Sequence, residues 1–253
     1  MPKKTRADHI LFTQGLTESR EQAKRLIMAG QVFVLAGNGK LRVEKPGQLF
    51  SPDACLEIAD RERFVSRGGY KLLTALTFFS LNVRGLIALD AGASTGGFTD
   101  CLLQHGATKV YAVDVGKRQL HERLLRDPRV VGIEGVNLRT AAADLIPERV
   151  DLVVADLSFI SLTLVLTTCM QWLKQEGLAA ALIKPQFEVG PGGTHKGVVR
   201  DESLRKQAVD KVLAFAQESL GLSLVGVAPA AIKGAKGNQE YMAVWHKTSA
   251  QQY

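Results

Sequence analysis

No uninterrupted apolar stretch in this sequence of 253 residues reaches the roughly 20 positions that a membrane-spanning helix needs. The opening MPKKTRADH also lacks the apolar centre of a secretory leader, so a cytoplasmic setting without a membrane partner is expected. Cysteine is equally sparse. Cys55, Cys101 and Cys169 lie far apart, form no CxxC pair and have no histidine at ligand spacing. Such a set indicates neither a disulfide framework nor a zinc site, and the three are expected to be reduced, structural thiols with no metal.

What the chain does have is core-forming material, 46% hydrophobic residues over a length that normally makes one or two domains. It also has an excess of positive charge, +7 net, unevenly spread. Residues 1–71 hold 13 Lys and Arg against 8 Asp and Glu, whereas residues 72–253 hold 19 against 17. A basic N-terminal module ahead of a nearly neutral one suits a polyanion, held through phosphate contacts that release counterions. On charge alone, a solvated basic face without a partner is the alternative.

Within that module Thr17 reads as the N-cap of a helix through ESREQAKRLIMAG, which turns Ala23, Leu26 and Ile27 inward, sets Arg20, Lys24 and Arg25 toward solvent, and stops at Gly30. VFVLAGNGKLRV then reads as two short strands joined around Asn38-Gly39. The segment RADHILFTQGLTESREQAKRLIMAGQVFV resembles the S4 RNA-binding domain in Arg6 and Asp8, Ser19-Arg20, Ala23, Leu26-Ile27, and Gly30 before Val32. The resemblance implies a small α+β RNA-binding domain over residues 1–62, with Lys3, Lys4, Arg6, Ser19, Arg20, Lys24 and Arg25 touching RNA.

From Gly85 onward the pattern changes to short apolar runs separated by helical lengths: GLIALD, KVYAVD, RVVGIEG, VDLVVAD and LAAALIK. These are buried-strand candidates of the parallel kind, and they predict an α/β domain with a doubly wound sheet. DAGASTGGFTD, Asp90 to Asp100, follows the first strand. A phosphate loop would need a Lys after its last Gly, and Phe98 follows Gly97 instead. A hydrolase elbow fits Gly92, Ser94 and Gly96, with His246 as a late base, although no HGGG-type oxyanion motif precedes it. A dinucleotide loop is weakened by Ser94, which stands where its second Gly belongs.

Asp114 closes the next strand, where a carboxylate can accept hydrogen bonds from both hydroxyls of a ribose. S-adenosylmethionine satisfies these constraints together. Its ribose suits Asp114, its carboxylate suits backbone N–H groups at a helix N-terminus, and its ammonium suits Asp90. Taken singly, Asp90 and Asp114 also read as ordinary strand-end caps.

VDLVVADLSFISL ends its apolar run at Asp156, and LAAALIKPQFEVG ends its run at Lys184, which places both at the carboxyl edge of such a sheet. SRGGYKLLTALTFFSLN supplies Lys71 on a helix before the sheet, and KGNQEYMAVW supplies Glu240 where the last strand begins. These four residues resemble the Lys-Asp-Lys-Glu tetrad of the FtsJ-like ribose 2'-O-methyltransferases. More closely, SRGGYKL, DAGASTGGFTD, ADLSFISL, LIKPQFE and GNQEY, in this order behind an S4-like module, resemble the TlyA family.

That resemblance implies a Rossmann-like class I methyltransferase fold with a mixed sheet over residues 71–248, a linker at 63–70 and a tail at 249–253. It implies S-adenosylmethionine as cofactor, ribosomal RNA or ribosomal subunits as partner, and transfer to a cytidine 2'-hydroxyl in 16S or 23S RNA. Lys71, Asp156, Lys184 and Glu240 become the catalytic set. Asp90, Gly92, Ala93, Ser94, Thr95, Gly96, Gly97, Phe98, Asp114, Val115 and Asp156 become the donor site, with Asn137 where related enzymes often place an acid near adenine. Some family members carry a haemolysin label, so a membrane-active protein and an RNA-binding protein with an inactive enzyme domain stand as the rival readings.

The chemistry explains the residue types. A ribose hydroxyl is a poor nucleophile at neutral pH and gains from a base that takes its proton as the new bond forms. Lys184 is the expected base, Asp156 its orienting partner, and Lys71 with Glu240 the hold on the ribose and its hydrogen-bond network. The Gly-Pro-rich segment VGPGGTHKGVVRDES reads as a mobile lid whose His195, Lys196 and Arg200 meet phosphates, and IKGAKGNQE adds Lys233 and Lys236. With Arg67 these extend the basic path toward the crevice.

Overall fold

The computed structural model describes residues 4–37, 39–58, 63–190 and 192–248. Tertiary contacts divide the chain into two compact units, Met1–Arg63 and Phe64–Tyr253.

The first unit contains β1 (Thr5–Arg6), α1 (Ala7–Thr13), α2 (Arg20–Met28), β2 (Val32–Ala36), β3 (Gly39–Arg42), β4 (Leu49–Phe50) and β5 (Leu56–Ile58). β2 is the central strand of a three-stranded antiparallel sheet between β3 and β5. Ile10, Leu11, Ala23, Ile27, Val32 and Leu56 share one core, so α2 buries the face that its periodicity predicts. The start of α2 differs from the sequence expectation. Ser19, not Thr17, is the cap: its Oγ accepts from Gln22 N at 3.2 Å, while Gln22 Oε1 accepts from Glu18 N at 2.8 Å. The two bonds satisfy N–H groups on Gln22 and on the residue before the cap, whereas the buried Thr17 Oγ1 has no hydrogen-bond partner among the described residues. At the other end, Gly30 (φ 71) donates to Ile27 O and Gln31 N to Leu26 O, the paired bonds that close a helix on a left-handed glycine. The hairpin pairs Ala36 with Gly39. Asn38 and Lys3 lie outside the described residues.

The second unit contains α3 (Gly68–Phe78), β6 (Ile87–Ala91), α4 (Gly97–Gln104), β7 (Lys109–Asp114), α5 (Glu122–Leu125), β8 (Val130–Glu134), β9 (Val150–Ala155), α6 (Thr163–Cys169), β10 (Leu173–Ile183), α7 (Pro185–Glu188), α8 (Glu202–Glu218), β11 (Leu222–Pro229) and β12 (Tyr241–Lys247). Its sheet has the order β11-β12-β10-β9-β6-β7-β8, with β12 antiparallel to both neighbours and the other pairs parallel. This is a Rossmann-like mixed sheet.

Both faces of the sheet are covered, which is why the strands read as continuous apolar runs. In β9, Val153 and Ala155 face one core with α6 and α8, while Leu152 and Val154 face another with α3 and α4. β10 and β12 alternate in the same way, with Ala181 and Trp245 on the first face and Leu182 and Met242 on the second. Phe64 is buried in the second core, so the segment expected as a linker belongs to this unit from its second residue onward.

The connections after β6 run outward to β7 and β8, while β9 lies on the opposite side of β6. A crevice therefore opens between the ends of β6 and β9, the place where doubly wound sheets bind ligands.

Candidate active site

The glycine-rich loop forms one wall of that crevice. Gly92 (φ 82) donates to Val113 O, Ser94 takes a left-handed φ of 48, and Gly96 (φ 91) caps α4. A Cβ on Gly92 would lie 2.8 Å from Asp156 O, so only glycine lets the chain pass this close to the end of β9. Asp114 fixes the loop from the next strand, with Oδ2 accepting from Ser94 N at 2.8 Å and Oδ1 from Gly116 N at 2.6 Å.

Asp90 is the unusual member. Its position in β6 points it at the α3 and α4 face, where the pattern elsewhere places apolar side chains, and it is fully buried. Thr99 holds Oδ2 from both N (2.9 Å) and Oγ1 (2.6 Å), whereas Oδ1 has no partner among the described residues. Burial pushes the carboxyl up to about 7 against the Thr99 hydrogen bonds, and the charges of Asp156 and Asp114 add to the rise.

The four expected catalytic residues converge as two pairs. Lys184 Nζ lies 2.7 Å from Asp156 Oδ1, donates to Ser158 Oγ at 2.8 Å, and stands over the Phe187 ring at 5.9 Å. Lys71 Nζ lies 2.6 Å from Glu240 Oε2, and Gln186 Nε2 donates to Glu240 Oε1 at 3.1 Å. Glu240 joins this edge because β12 runs antiparallel, which brings its first residues to the end where β9 and β10 finish. Lys184 and Glu240 are both buried. Neither amine is a casual surface group.

A cavity of 580 Å³ is lined by Lys71, Asp156, Ser158 and Lys184 together with Asp90, Gly92 and Gly97. Ala93, Ser94, Thr95 and Phe98 also reach it. A second cavity of 570 Å³ shares Gly92, Ser94, Asp156 and Ser158 with the first and continues past Asp114, Val115 and Asn137 to Leu138, Phe159 and Ile160. Gly96 lines neither. A Cβ there would strike Leu124 and Leu120, so its part is conformational. Asn137 Oδ1 is taken up by Arg139 N at 3.0 Å, capping a short 3-10 turn over Leu138–Thr140.

The hydrolase reading does not survive this geometry. His246 pairs across the sheet with Leu178, well back from the carboxyl edge, and its Nε2 lies 3.1 Å from Glu176 O. Ser94 sits at the opposite end of the strands, so no triad assembles.

The FtsJ-like methyltransferase family matches residues 64–247. The 16S/23S rRNA (cytidine-2'-O)-methyltransferase TlyA of Mycobacterium tuberculosis is 45% identical over 251 residues, covering 98% of this chain and 91% of that protein. The chain belongs to the TlyA family of FtsJ-like methyltransferases. Hemolysin A of Brachyspira hyodysenteriae is 40% identical over 94% of this chain and 98% of its own. A solved structure from Streptococcus thermophilus that carries a hemolysin label shares 43% identity, with a TM-score of 0.73 over 98% of this chain and 90% of that one.

Sequence reasoning missed several residues at this TlyA-family site. Ser158 and Ser66 both line the first cavity, and Gln186 holds Glu240. Phe159 carries a 91% exposed ring on a left-handed backbone (φ 64) and leans on Phe187 at 5.2 Å. The motifs ADLSFISL and LIKPQFE contained three of these, but an uncharged residue gives no signal until the fold places it.

The basic residues sort into free and engaged ones. In the first unit Arg6 and Arg20 both bond the buried Asp8, at 3.0 and 3.1 Å, Lys24 pairs with Glu21, and Ser19 caps α2. Lys4 and Arg25 are exposed. A shallow groove is lined by Arg6, Lys24 and Lys45, the last not anticipated, with Glu44 as its one acid. In the second unit Arg67 Nη2 donates to Lys233 O at 3.3 Å, Lys236 Nζ donates to Lys196 O at 3.2 Å, and Arg67, Lys233 and Lys236 line the first cavity. Among the described residues no helix is long and apolar enough to cross a membrane.

Proposed function

We propose that this protein methylates the 2'-hydroxyl of a cytidine ribose in ribosomal RNA, with S-adenosylmethionine as donor. The observation that carries the reading is the meeting of Lys184–Asp156 and Lys71–Glu240 at one cavity that also receives the Gly92 loop.

The residues fit the donor. The unpartnered, buried Asp90 Oδ1 suits its ammonium, and Asp114, already oriented by Ser94 N and Gly116 N, retains lone pairs for a ribose diol. Val115, Leu138 and Ile160 give apolar walls for adenine. When bound, the donor supplies an electrophilic methyl group on a sulfonium. Lys184 Nζ, entering the step as the neutral amine, takes the proton of the attacking hydroxyl on its lone pair, and Asp156 and Ser158 fix its direction and pair with the ammonium it becomes. Lys71, held by Glu240, steadies the ribose oxygen. Alignment of hydroxyl and methyl supplies several kcal/mol in addition to proton transfer.

The first unit is read as an S4-like RNA-binding domain over residues 1–62, followed by the 63–70 junction, the methyltransferase domain at 71–248 and the 249–253 tail. Its groove of Arg6, Lys24 and Lys45, with Arg25 exposed nearby in sequence, supports contact with RNA phosphates, and the family likeness supports ribosomal subunits in the cytoplasm as the setting. Arg67, Lys196 and Lys236 are the corresponding contacts in the second unit. The test is 2'-O-methyl mapping of ribosomal RNA from cells with and without the gene, together with methyl transfer to subunits in vitro. Loss of a cytidine mark in the deletion, restored by the purified protein, is expected; no altered site in either subunit contradicts the assignment.

A further inference from the structure

Asn238 is 3% exposed and plays no part in the chemistry above. Its side chain nevertheless makes three hydrogen bonds, all to backbone of two separate loops. Oδ1 accepts from Val199 N at 3.1 Å, and Nδ2 donates to Gly197 O at 2.9 Å and to Ala235 O at 3.0 Å. Its own backbone closes the second loop, with Gly234 N donating to Asn238 O and Asn238 N to Ala235 O.

Each loop carries a lysine in left-handed backbone, Lys196 at φ 51 and Lys236 at φ 55. For residues with a Cβ this conformation costs about 1–2 kcal/mol apiece and persists only where the surroundings hold it. The same two lysines are joined by Lys236 Nζ donating to Lys196 O. The Lys233–Gly237 segment forms a wall of the first cavity, and a Cβ on Gly234 would overlap the carboxylate of Glu240, so the segment rests directly on the residue that holds Lys71. Neither loop reaches the second cavity, where the adenosine of the donor is placed. The Lys233–Gly237 segment shares the first cavity with Asp90, which receives the donor's ammonium, but among the described residues no hydrogen bond joins either loop to Asp90 or Asp114.

We propose that Asn238 is a positioning residue that latches residues 195–199 to residues 233–237 as one rim, and that this rim orients the acceptor RNA and the Glu240–Lys71 pair without contributing to donor affinity. The proposal rests on the methyl-transfer reading. It replaces the expectation of a free lid, because a loop bonded at Gly197 and Val199 to the next loop moves only with it.

Asn238→Asp keeps the acceptor for Val199 N but sets a carboxylate against two carbonyls, and Asn238→Ser removes the reach to both loops. For the full-length variants, amide exchange of residues 195–200, calorimetry with S-adenosylmethionine and steady-state methylation of ribosomal subunits are measured beside the wild type. Both variants are expected to lose at least about tenfold in Val199 amide protection and to raise KM for subunits about tenfold, with donor Kd unchanged within about twofold. Unchanged KM despite lost protection overturns the proposal. So does a parallel loss of donor binding or of cooperative unfolding in both variants, which would make Asn238 a general structural residue. A wild type that methylates no subunit RNA defeats the functional reading instead, while the exchange data still judge the latch.

Discussion

Lys71 Nζ and Glu240 Oε2 lie 2.6 Å apart and join the helix ahead of the sheet to the residue before its last strand. Glu240 is almost wholly buried and spends its other oxygen on Gln186. Removing one partner of a buried pair leaves an uncompensated charge, so Lys71→Met is expected to lower unfolding free energy by about 3–5 kcal/mol. The double variant Lys71→Met/Glu240→Leu is expected to recover much of that loss in denaturant titrations. Neither variant is expected to methylate RNA.

Donor binding should follow the ionisation of Asp90. Its carboxyl is pushed up to about 7, above its unfolded value, so the folded apo-protein holds an extra proton between the two values. Asp90 therefore favours the fold at low pH, and that contribution declines as pH rises through neutrality. A cationic ammonium beside Oδ1 favours the ionised form. Donor affinity should rise from pH 6 to pH 8 with release of a proton on binding, and Asp90→Asn should flatten the profile; calorimetry in buffers of different ionisation enthalpy reads both.

Two glycines with nearly the same φ separate strain from steric contact. Gly92 (φ 82) and Gly85 (φ 80) both occupy left-handed backbone, but a Cβ on Gly92 would lie 2.8 Å from Asp156 O while one on Gly85 meets open space. Each Ala substitution is expected to cost about 1–2 kcal/mol in thermal unfolding. Only Gly92→Ala is expected to weaken donor binding, by about tenfold or more, because only it displaces the end of β9.

Asp8 ties the start of α1 to the start of α2 through Arg6 and Arg20. Burial raises its carboxyl, and the hydrogen bonds from Arg6 and Arg20 more than offset this, leaving it below the usual carboxylate range. A depressed carboxyl stabilises the fold above its unfolded value and loses that effect as pH falls through the folded one, so the window lies below about pH 4. Asp8→Ala is expected to reduce amide protection in α1 and α2 at neutral pH and leave the protection of β6 and β9 unchanged.

Much of this organisation is legible in the sequence because burial leaves its mark on residue type. β9 and β10 are apolar on both faces, so a charge that ends either run, Asp156 or Lys184, marks the sheet edge. What stays hidden has no such contrast. Ser158, Gln186 and Asn238 are neutral side chains whose roles come from partners 26, 54 and 39 residues away. Thr17 and Ser19 are both capping residues in the letters, and what separates them is the pair of bonds between Gln22 N and Ser19 Oγ and between Glu18 N and Gln22 Oε1. The elbow suggested by Gly92, Ser94 and Gly96 failed because strand direction, invisible in the letters, puts His246 far from Ser94.

The most direct test of Lys184 as the base is single-turnover methyl transfer to ribosomal subunits by Lys184→Ala, measured with donor and subunit affinities. A rate reduced about 10²- to 10⁴-fold, with both affinities held within about twofold, is the expected result. A near wild-type rate with donor and subunit bound would contradict it.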